Sequence, residues 1–168
     1  MSASEVTHLD PLGRARMVDV TAKDVTHRRA VARCRVLMEA DTAAKIASGA
    51  ITKGDVLAVA RVAGIQAAKQ TPNLLPLCHP LLVGSVYVNF RIENAHVEVE
   101  VQVDTVDRTG VEMEALTACS VAALTIYDMC KSLDRSMTIS ELALWEKTGG
   151  RSGVWRRKSS DEEVTFDL

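Results

Sequence analysis

Apolar and polar residues alternate in three stretches of the chain, which is the two-residue period of a β-strand. In the first stretch, 29–38, the apolar face carries Ala30, Ala32, Cys34, Val36 and Met38. The other two, 86–92 and 97–103, are separated by four residues and predict an antiparallel hairpin. We expect the polar face of this hairpin to lie in solvent. That face consists of Arg91, Glu98, Glu100 and Gln102.

Three other stretches have the longer period of an α-helix. The first is short and covers 42–48. The second starts near Thr52 and runs to Lys69, and Pro72 is expected to close it. Gly64 lies inside this second helix, where glycine costs about 1 kcal/mol relative to alanine. We therefore expect another part of the chain to pack very close to Gly64.

The third helix, roughly 111–133, has no charged residue between positions 115 and 127, which implies burial on nearly all sides. Charged residues bracket this apolar section, two at each end. They are Glu112, Glu114, Asp128 and Lys131. The acids would gain from the helix dipole, and the last two residues could form an ion pair, so a purely structural interpretation exists. Charges at the edge of a core are costly unless they are paired or used, which also indicates a functional site.

Glu114 and Asp128 are 14 residues apart, or about 21 Å along a helix that rises 1.5 Å per residue. Their side chains cannot reach one reacting atom from a single copy of the helix. Either only one of them is catalytic, or the ligand is long, or two subunits contribute opposite ends of their helices. We favour the third explanation.

The remaining segments complete an α+β pattern. Residues 17–20 could form a short strand, and 137–145 alternate with a change of phase at Glu141, which predicts a strand with a bulge. Beyond Lys147 we expect a mobile loop and a frayed tail. The order of strands and helices predicts an antiparallel sheet with its helices packed on one face.

Length and composition favour a single domain over 1–168, with flexible ends at about 1–13 and 158–168. With 20 basic and 22 acidic residues, the charge balance does not favour nucleic acid or membrane, and no apolar run approaches the roughly 20 residues of a membrane span. The first residues lack a signal-peptide pattern, so we expect a cytoplasmic protein. Its cysteines lack metal-binding spacing and are expected to be free thiols, namely Cys34, Cys78, Cys119 and Cys130.

Several residues outside the apolar helix could also carry chemistry. Lys53 would be unfavourable at a helix start unless an anion lies nearby, whereas Lys69 has the position of an ordinary C-terminal cation. His79 lies in a proline-stiffened loop, and no second histidine has metal-binding spacing to it. The glycine-rich segment 149–153 contains Arg151 and could wrap a polyphosphate, although a solvated tail has the same composition.

Most of these candidates fall within six short motifs. The motifs are MVDV at 17–20, KGDV at 53–56, AGIQAAK at 63–69, LPLCHP at 75–80, TGVEMEALT at 109–117 and YDMCK at 127–131. In this order, over roughly 7–157, they resemble one family. It is the cyclic pyranopterin monophosphate synthase of molybdenum cofactor biosynthesis, the accessory protein C of that pathway.

The resemblance implies a ferredoxin-like α+β subunit in a homohexamer, a trimer of dimers with active sites at the dimer interface. It implies a lyase that converts 3′,8-cyclo-7,8-dihydro-GTP into cyclic pyranopterin monophosphate and pyrophosphate. The substrate would come from a radical SAM GTP cyclase, the functional partner. No cofactor is implied, because the reaction needs acid–base groups rather than a redox centre. No metal site is predicted within the protein, and the sequence leaves open whether a divalent metal accompanies the triphosphate.

By similarity, Asp128 is the principal catalytic residue, assisted by Lys53 and Lys131. The residues that would contact substrate are Leu77, Cys78, His79, Met113 and Glu114, with Glu112, Asp19 and Lys69 in the same pocket. Lys147 and the 149–153 loop would close over the substrate, with Arg151 binding phosphate. Two alternatives remain open. One is a non-enzymatic nucleotide-sensing module, which would not need Asp128, and the other is a structural subunit whose charged helix ends pair between protomers.

Overall fold

A computed structural model describes residues 9–158, which form five strands and three helices. In chain order these are β1 (Thr26–Leu37), α1 (Ala40–Ala47), α2 (Val56–Leu74), β2 (Ser85–Glu93), β3 (His96–Asp107), α3 (Glu112–Cys130), β4 (Thr138–Thr148) and β5 (Trp155–Arg156). The predicted flexible ends fall mostly outside the described residues and stay predictions.

The five strands form one sheet in the order β2-β3-β1-β4-β5, and every neighbouring pair is antiparallel. β1 and β3 pair along their whole length, from Thr26 opposite Asp107 to Leu37 opposite His96. The two long helices, α2 and α3, pack side by side against one face of this sheet. The α+β, ferredoxin-like sandwich expected from the sequence is therefore confirmed.

The core lies between α3 and the two central strands. Every second residue of β1 and of β3 is buried beneath the helix, as the alternating pattern predicts. The α3 residues that meet them are small, chiefly Ala115, Ala118, Cys119, Ala122 and Ala123. By length and composition α3 could cross a membrane, but 50% of the qualifying segment is buried inside the protein. α3 is thus the core helix of the sandwich.

Gly64 is the point of closest approach between α2 and α3. A Cβ at this position would lie 3.2 Å from the Ala118 carbonyl oxygen and 3.4 Å from the Ala122 Cβ. It would also lie 3.3 Å from Val88 Cγ2 on β2. The close neighbour predicted for this glycine is therefore the backbone of α3.

The other face of the sheet corrects one prediction. Glu98 and Glu100 are buried rather than exposed, because arginine side chains of β1 lie across them. Arg35 Nε is 3.1 Å from Glu98 Oε1, and Arg33 Nη2 is 2.6 Å from Glu100 Oε2. Desolvation still raises the pKa of Glu100, against the opposing effect of Arg33. Cross-strand ion pairs allow this polar face to lose its contact with water.

Several predicted boundaries are wrong by a few residues. Residues 17–20 form no strand, and α2 begins only at Val56, where the Asp55 carboxylate caps it by accepting from the Ala58 N–H at 2.9 Å. Pro72 does not close α2, which continues to Leu74. Proline removes one backbone donor, but the Leu75 N–H still donates to the Thr71 carbonyl at 2.9 Å and closes the last turn.

The segment after Lys147 contains a short strand that the sequence does not predict. β4 ends at Thr148, and the chain turns back so that β5 pairs with Glu146 and Lys147. The predicted bulge is confirmed: Glu141 has a φ of 56°, beside a shift in the pairing of β4 with β1.

Candidate active site

A cavity of about 310 Å³ lies beside the first turn of α3. Three segments form it: the loop after α2, the start of α3 and the irregular segment before β1. Six of the predicted substrate-contacting residues line this cavity, namely Leu77, Cys78, His79, Glu112, Met113 and Glu114. Residues that are widely separated in sequence are therefore brought together at one end of α3.

Glu114 is the one acid of this cavity that is buried, with 3% of its surface exposed. Desolvation raises the pKa of Glu114 to about 7, and the nearby charge of Glu112 acts in the same direction. Burial, followed by the charge of Glu114, raises the pKa of the Cys78 thiol. At neutral pH Glu114 is therefore able to take up or release a proton, whereas the Cys78 thiol is a hydrogen-bond donor only.

Two acids at the edge of the cavity are held by local geometry. The Glu112 carboxylate packs against Gly110, where a larger residue would require the glutamate side chain to move. The Asp19 carboxylate accepts from the N–H and hydroxyl of Thr21 at 2.9 and 2.7 Å. These hydrogen bonds lower the pKa of Asp19, and His79 adds a smaller effect in the same direction. Asp19 thus lies near His79 at the rim.

A second cavity, of about 380 Å³, shares Lys23 with the first. Its other charged residues are Asp24, Arg28 and Arg151. The Arg28 guanidinium packs directly against Gly150, where a Cβ would require the arginine side chain to move. Lys147 donates a hydrogen bond to Ser152, which lines the same cavity. The glycine-rich segment therefore forms one wall of a cationic groove, which suits phosphate groups.

The three predicted catalytic residues meet at the opposite end of α3. Lys53 Nζ donates to the Asp128 carbonyl oxygen at 2.7 Å and lies 3.4 Å from Asp128 Oδ2. Lys131 Nζ lies 2.7 Å from Asp128 Oδ1. The hydrogen bond from Lys131, the charges of both lysines and the contact with Lys53 lower the pKa of Asp128. One carboxylate is thus held between two ammonium groups.

The position of Lys53 differs from the sequence prediction. It lies two residues before the cap of α2 rather than in its first turn, and Gly54 turns the chain with a φ of 105°. The ammonium group reaches the C-terminal end of α3, where the free carbonyls and the helix dipole stabilise a cation. The anion that the sequence requires near Lys53 is therefore Asp128.

The cavity and the lysine cluster are not one site within a single protomer. Glu114 and Asp128 lie on one continuous helix, about 21 Å apart along its axis. Lys69 belongs to neither group: it is exposed inside α2, which runs five residues further than predicted, so it is not a C-terminal cation.

The sequence analysis missed Lys23 and Arg28, which the structure places at the groove. Arg28 had a readable signal. It lies on the same strand face as the buried Ala30 and Ala32, where a charge breaks the apolar pattern. Lys23 gave no such signal, because it lies in an irregular segment that has no periodic pattern for a charge to interrupt.

Within residues 9–158, no cluster of three or more histidine, cysteine, aspartate or glutamate side chains could hold a metal ion. Three of the four cysteines are buried free thiols, as predicted, and Cys78 is half-buried at the cavity. The site chemistry available in the described residues is therefore that of carboxylates, ammonium and guanidinium groups, a thiol and an imidazole.

The chain is similar to known proteins along most of its length. A protein of Roseiflexus sp. is 60% identical over 152 residues, covering 89% of this chain and 96% of its own, and is named cyclic pyranopterin monophosphate synthase. The same name is borne by a protein of Thermomicrobium roseum, 58% identical over 160 residues, covering 94% of this chain and 96% of its own. A model of the MoaC family matches residues 17–150. The chain belongs to the MoaC family.

Proposed function

We propose that this protein is a lyase that converts 3′,8-cyclo-7,8-dihydro-GTP into cyclic pyranopterin monophosphate and pyrophosphate. The observation that carries the proposal is the meeting of Lys53 with Asp128 and Lys131, because these residues gather at a solvent-facing helix end that the core does not need. The names of the similar proteins support the same reaction.

The cationic groove suits the triphosphate of this substrate. Lys23, Arg28 and Arg151 line it, and Lys147 lies at its edge through Ser152. Arginine keeps its charge at any physiological pH and bonds phosphate oxygens in pairs, so Arg151 acts as a phosphate ligand. Arg28, whose Nε and Nη2 donate to the carbonyl oxygens of Asp107 and Arg108, contributes positive charge to the groove. Departure of pyrophosphate places negative charge on the leaving group, which these cations stabilise.

Opening the purine five-membered ring and forming the pterin ring require protons to move. Glu114, with a pKa of about 7, supplies a group that exchanges protons at neutral pH. At the other end of the helix, Asp128 is the anionic residue, and Lys53 and Lys131 are the groups that donate protons or stabilise developing negative charge.

The active site is shared between two protomers. In a single copy, Asp128 and Lys131 are mostly exposed, at 59% and 51%, and an exposed ion pair contributes little. A partner that brings its own cavity end to this cluster completes the site and excludes water from it. Charges favour this arrangement, since Glu112 and Glu114 at one end of α3 would face Lys53 and Lys131 at the other.

The outer face of α3 is suited to such a contact. It carries half-exposed or exposed residues that are small or apolar: Met113, Thr117, Ser120, Val121 and Leu124. Two hydroxyls on or beside this face bond within the helix: Ser120 donates to the Leu116 carbonyl at 2.8 Å and Thr125 to the Val121 carbonyl at 2.7 Å. Two such faces crossing antiparallel near Ser120 would set opposite helix ends side by side.

The assembly is a homohexamer, a trimer of such dimers, working in the cytoplasm downstream of a radical SAM GTP cyclase. The buried free thiols Cys34, Cys119 and Cys130 suit a reducing compartment. No nucleic acid, membrane or cofactor takes part.

A product assay separates this function from its alternatives. The purified protein is incubated with the cyclic dihydro-nucleotide, and pyrophosphate and the pterin product are measured. Asp128→Ala should lower the rate at least about 100-fold while keeping the fold and the assembly. Asp41→Ala removes a comparable exposed ion pair, with Lys45, and should act at the parental rate.

Each alternative predicts a different result. A nucleotide-sensing module would bind the nucleotide without turnover, and Asp128→Ala would not alter that binding. A structural subunit would lose its assembly with the same substitution.

A further inference from the structure

Asp134 lies in the turn between α3 and β4, three residues after Lys131, and it is buried. Both of its carboxylate oxygens accept hydrogen bonds. Oδ1 accepts from the N–H and the hydroxyl of Ser136 at 2.8 and 2.6 Å, and Oδ2 accepts from the Glu39 N–H at 2.8 Å. These bonds, led by that of the Ser136 hydroxyl, lower the pKa of Asp134, so the group is a carboxylate in the folded protein.

The bonds of Asp134 join two segments that carry the lysine cluster. Glu39 is the N-cap residue of α1, and its side chain makes no capping hydrogen bond. α1 is followed by the loop that bears Lys53. On the other side, the Asp134 N–H donates to the Cys130 carbonyl at 3.1 Å and closes the end of α3, next to Lys131. One buried side chain therefore ties the start of α1, the helix that precedes the loop bearing Lys53, to the turn that follows Lys131.

The lysine cluster needs such a support because its own contacts are weak. Lys53, Asp128 and Lys131 are all at least 40% exposed. Ion pairs in that environment gain little over water and do not restrain long side chains. The spacing of the two ammonium groups on Asp128 is then set by the backbone beneath them.

We propose that Asp134 is a positioning residue, which fixes the backbone of Lys131 relative to that of Lys53 and so holds both ammonium groups on the Asp128 carboxylate. The effect of Asp134 on catalysis rests on the proposed function, whereas its effect on the geometry of the lysine cluster does not.

The test compares Asp134→Asn with Ser136→Ala. The amide cannot accept on both sides, so the bond to Glu39 or the bonds to Ser136 must be lost. Ser136→Ala removes one hydroxyl donor and keeps both backbone donors, which makes it the matched control. Val101→Ala, in the sheet core, lowers stability without touching the turn and serves as the control for stability alone.

Two measurements are made on each folded variant. The first is the pH titration of the Asp128 carboxyl carbon by NMR. In Asp134→Asn its midpoint should move up toward the ordinary value of an aspartate, because Lys131 no longer stays on the carboxylate. The second is turnover, for which kcat should fall about 10- to 100-fold with a smaller change in KM. Both controls should keep the parental midpoint and a kcat within about twofold.

Asp134→Glu keeps the charge and displaces the carboxylate by one methylene, so it should shift the midpoint in the same direction, and it replaces the amide variant if that variant does not fold. A folded Asp134 variant with the parental midpoint overturns the proposal, and so does failure of both variants to fold, since Asp134 would then be structural. A shifted midpoint in a protein whose parent is inactive on the nucleotide retains the positioning role and overturns the proposed function instead.

Discussion

Lys53 and Lys131 approach the same carboxylate from different parts of the chain, and their contacts differ. Lys131 bonds only the Asp128 side chain among the contacts described, whereas Lys53 also bonds the backbone carbonyl of that residue. Lys53 is therefore anchored by the helix end even when a substrate competes for the carboxylate. This anchoring makes Lys53 the better placed of the two to meet a reacting atom in a constant geometry.

Two replacements of Lys53 should distinguish the contribution of its positive charge from that of proton transfer. Lys53→Ala should lower kcat about 100-fold or more without unfolding the protein. Lys53→Arg keeps the positive charge but not a transferable proton, so it should restore less than about a tenth of the parental rate. Steady-state kinetics on both variants checks this, with Lys45→Ala on α1 as the control. A parental rate with arginine would show that Lys53 contributes charge alone.

Glu114 should make the stability of the protein depend on pH. Its folded-state pKa of about 7 lies above the ordinary 4.5, so between these values the folded protein binds more protons than the unfolded chain. The stabilising contribution of the neutral acid is complete below pH 4.5 and is lost as the pH rises to about 7. Glu114→Gln stays neutral throughout. Over that pH range the free energy of unfolding of the parental protein should therefore fall by up to roughly 3 kcal/mol relative to this variant.

Denaturant unfolding at pH 5 and pH 8 measures this difference. The Gln66→Glu control places a carboxyl on the exposed face of α2, where no such pH dependence is expected. A constant difference between Glu114→Gln and the parental protein across the range would mean that Glu114 has an ordinary pKa.

At the residue scale, sequence reasoning finds groups whose chemistry conflicts with their local pattern. Asp128 follows a long uncharged run and Glu114 precedes it, so the sequence identifies both as candidates. The raised pKa of Glu114 could not be predicted from the sequence, because it depends on burial by a loop distant in sequence. The surroundings of Lys53 were predicted correctly in part: the sequence indicates an anion near it, but the identity of that anion depends on how α2 and α3 pack.

At the element scale, the packing of α2 against α3 sets where both ends of α3 lie. Gly64→Ala tests that packing. Alanine favours the helix by about 1 kcal/mol, but its methyl group would press on the Ala118 carbonyl at 3.2 Å, which is part of a rigid helix. Overpacking of this kind costs about 1 to 3 kcal/mol, so the net result should be destabilisation by roughly 1 kcal/mol.

Urea unfolding of Gly64→Ala checks this value. Ala58→Gly, on the exposed face of α2, measures the effect of helix propensity alone on the free energy of unfolding. Greater stability in Gly64→Ala would mean that the two helices separate easily, and the fixed geometry of the site would lose its basis.

Strand and helix periodicity predicted six of the eight elements with nearly correct bounds, because each buries one face in a regular way. Local signals failed where tertiary packing decided the outcome. Proline normally ends a helix, but α2 continues past Pro72 to Leu74, and the Thr71 carbonyl accepts from the Leu75 N–H. Glu98 and Glu100 read as solvent-facing, yet arginines across the strand pair cover them. β5 is two residues long, too short for any period to show.

At the scale of the whole molecule, the two halves of the proposed site lie at opposite ends of α3, and this separation could be predicted from the sequence alone. The spacing of 14 residues between Glu114 and Asp128 on one uninterrupted helix was sufficient. The sequence could not identify the face by which two copies would meet, because that face is defined by what α2 and the sheet leave uncovered. Only the folded chain shows Leu124 and Met113 exposed on the same helix whose other side forms the core.

The most direct test of the shared site is complementation between inactive variants. Asp128→Ala damages one end of α3 and His79→Ala damages the cavity at the other end, so each variant alone should be inactive. Refolded together at equal amounts, half of the dimers would contain both variants, and one of the two sites in each would be intact. The account predicts recovery of about a quarter of the parental rate, and none when Asp128→Ala is mixed with Lys131→Ala, which affects the same end. No recovery in the first mixture, from variants shown to exchange subunits, would contradict a site built from two protomers.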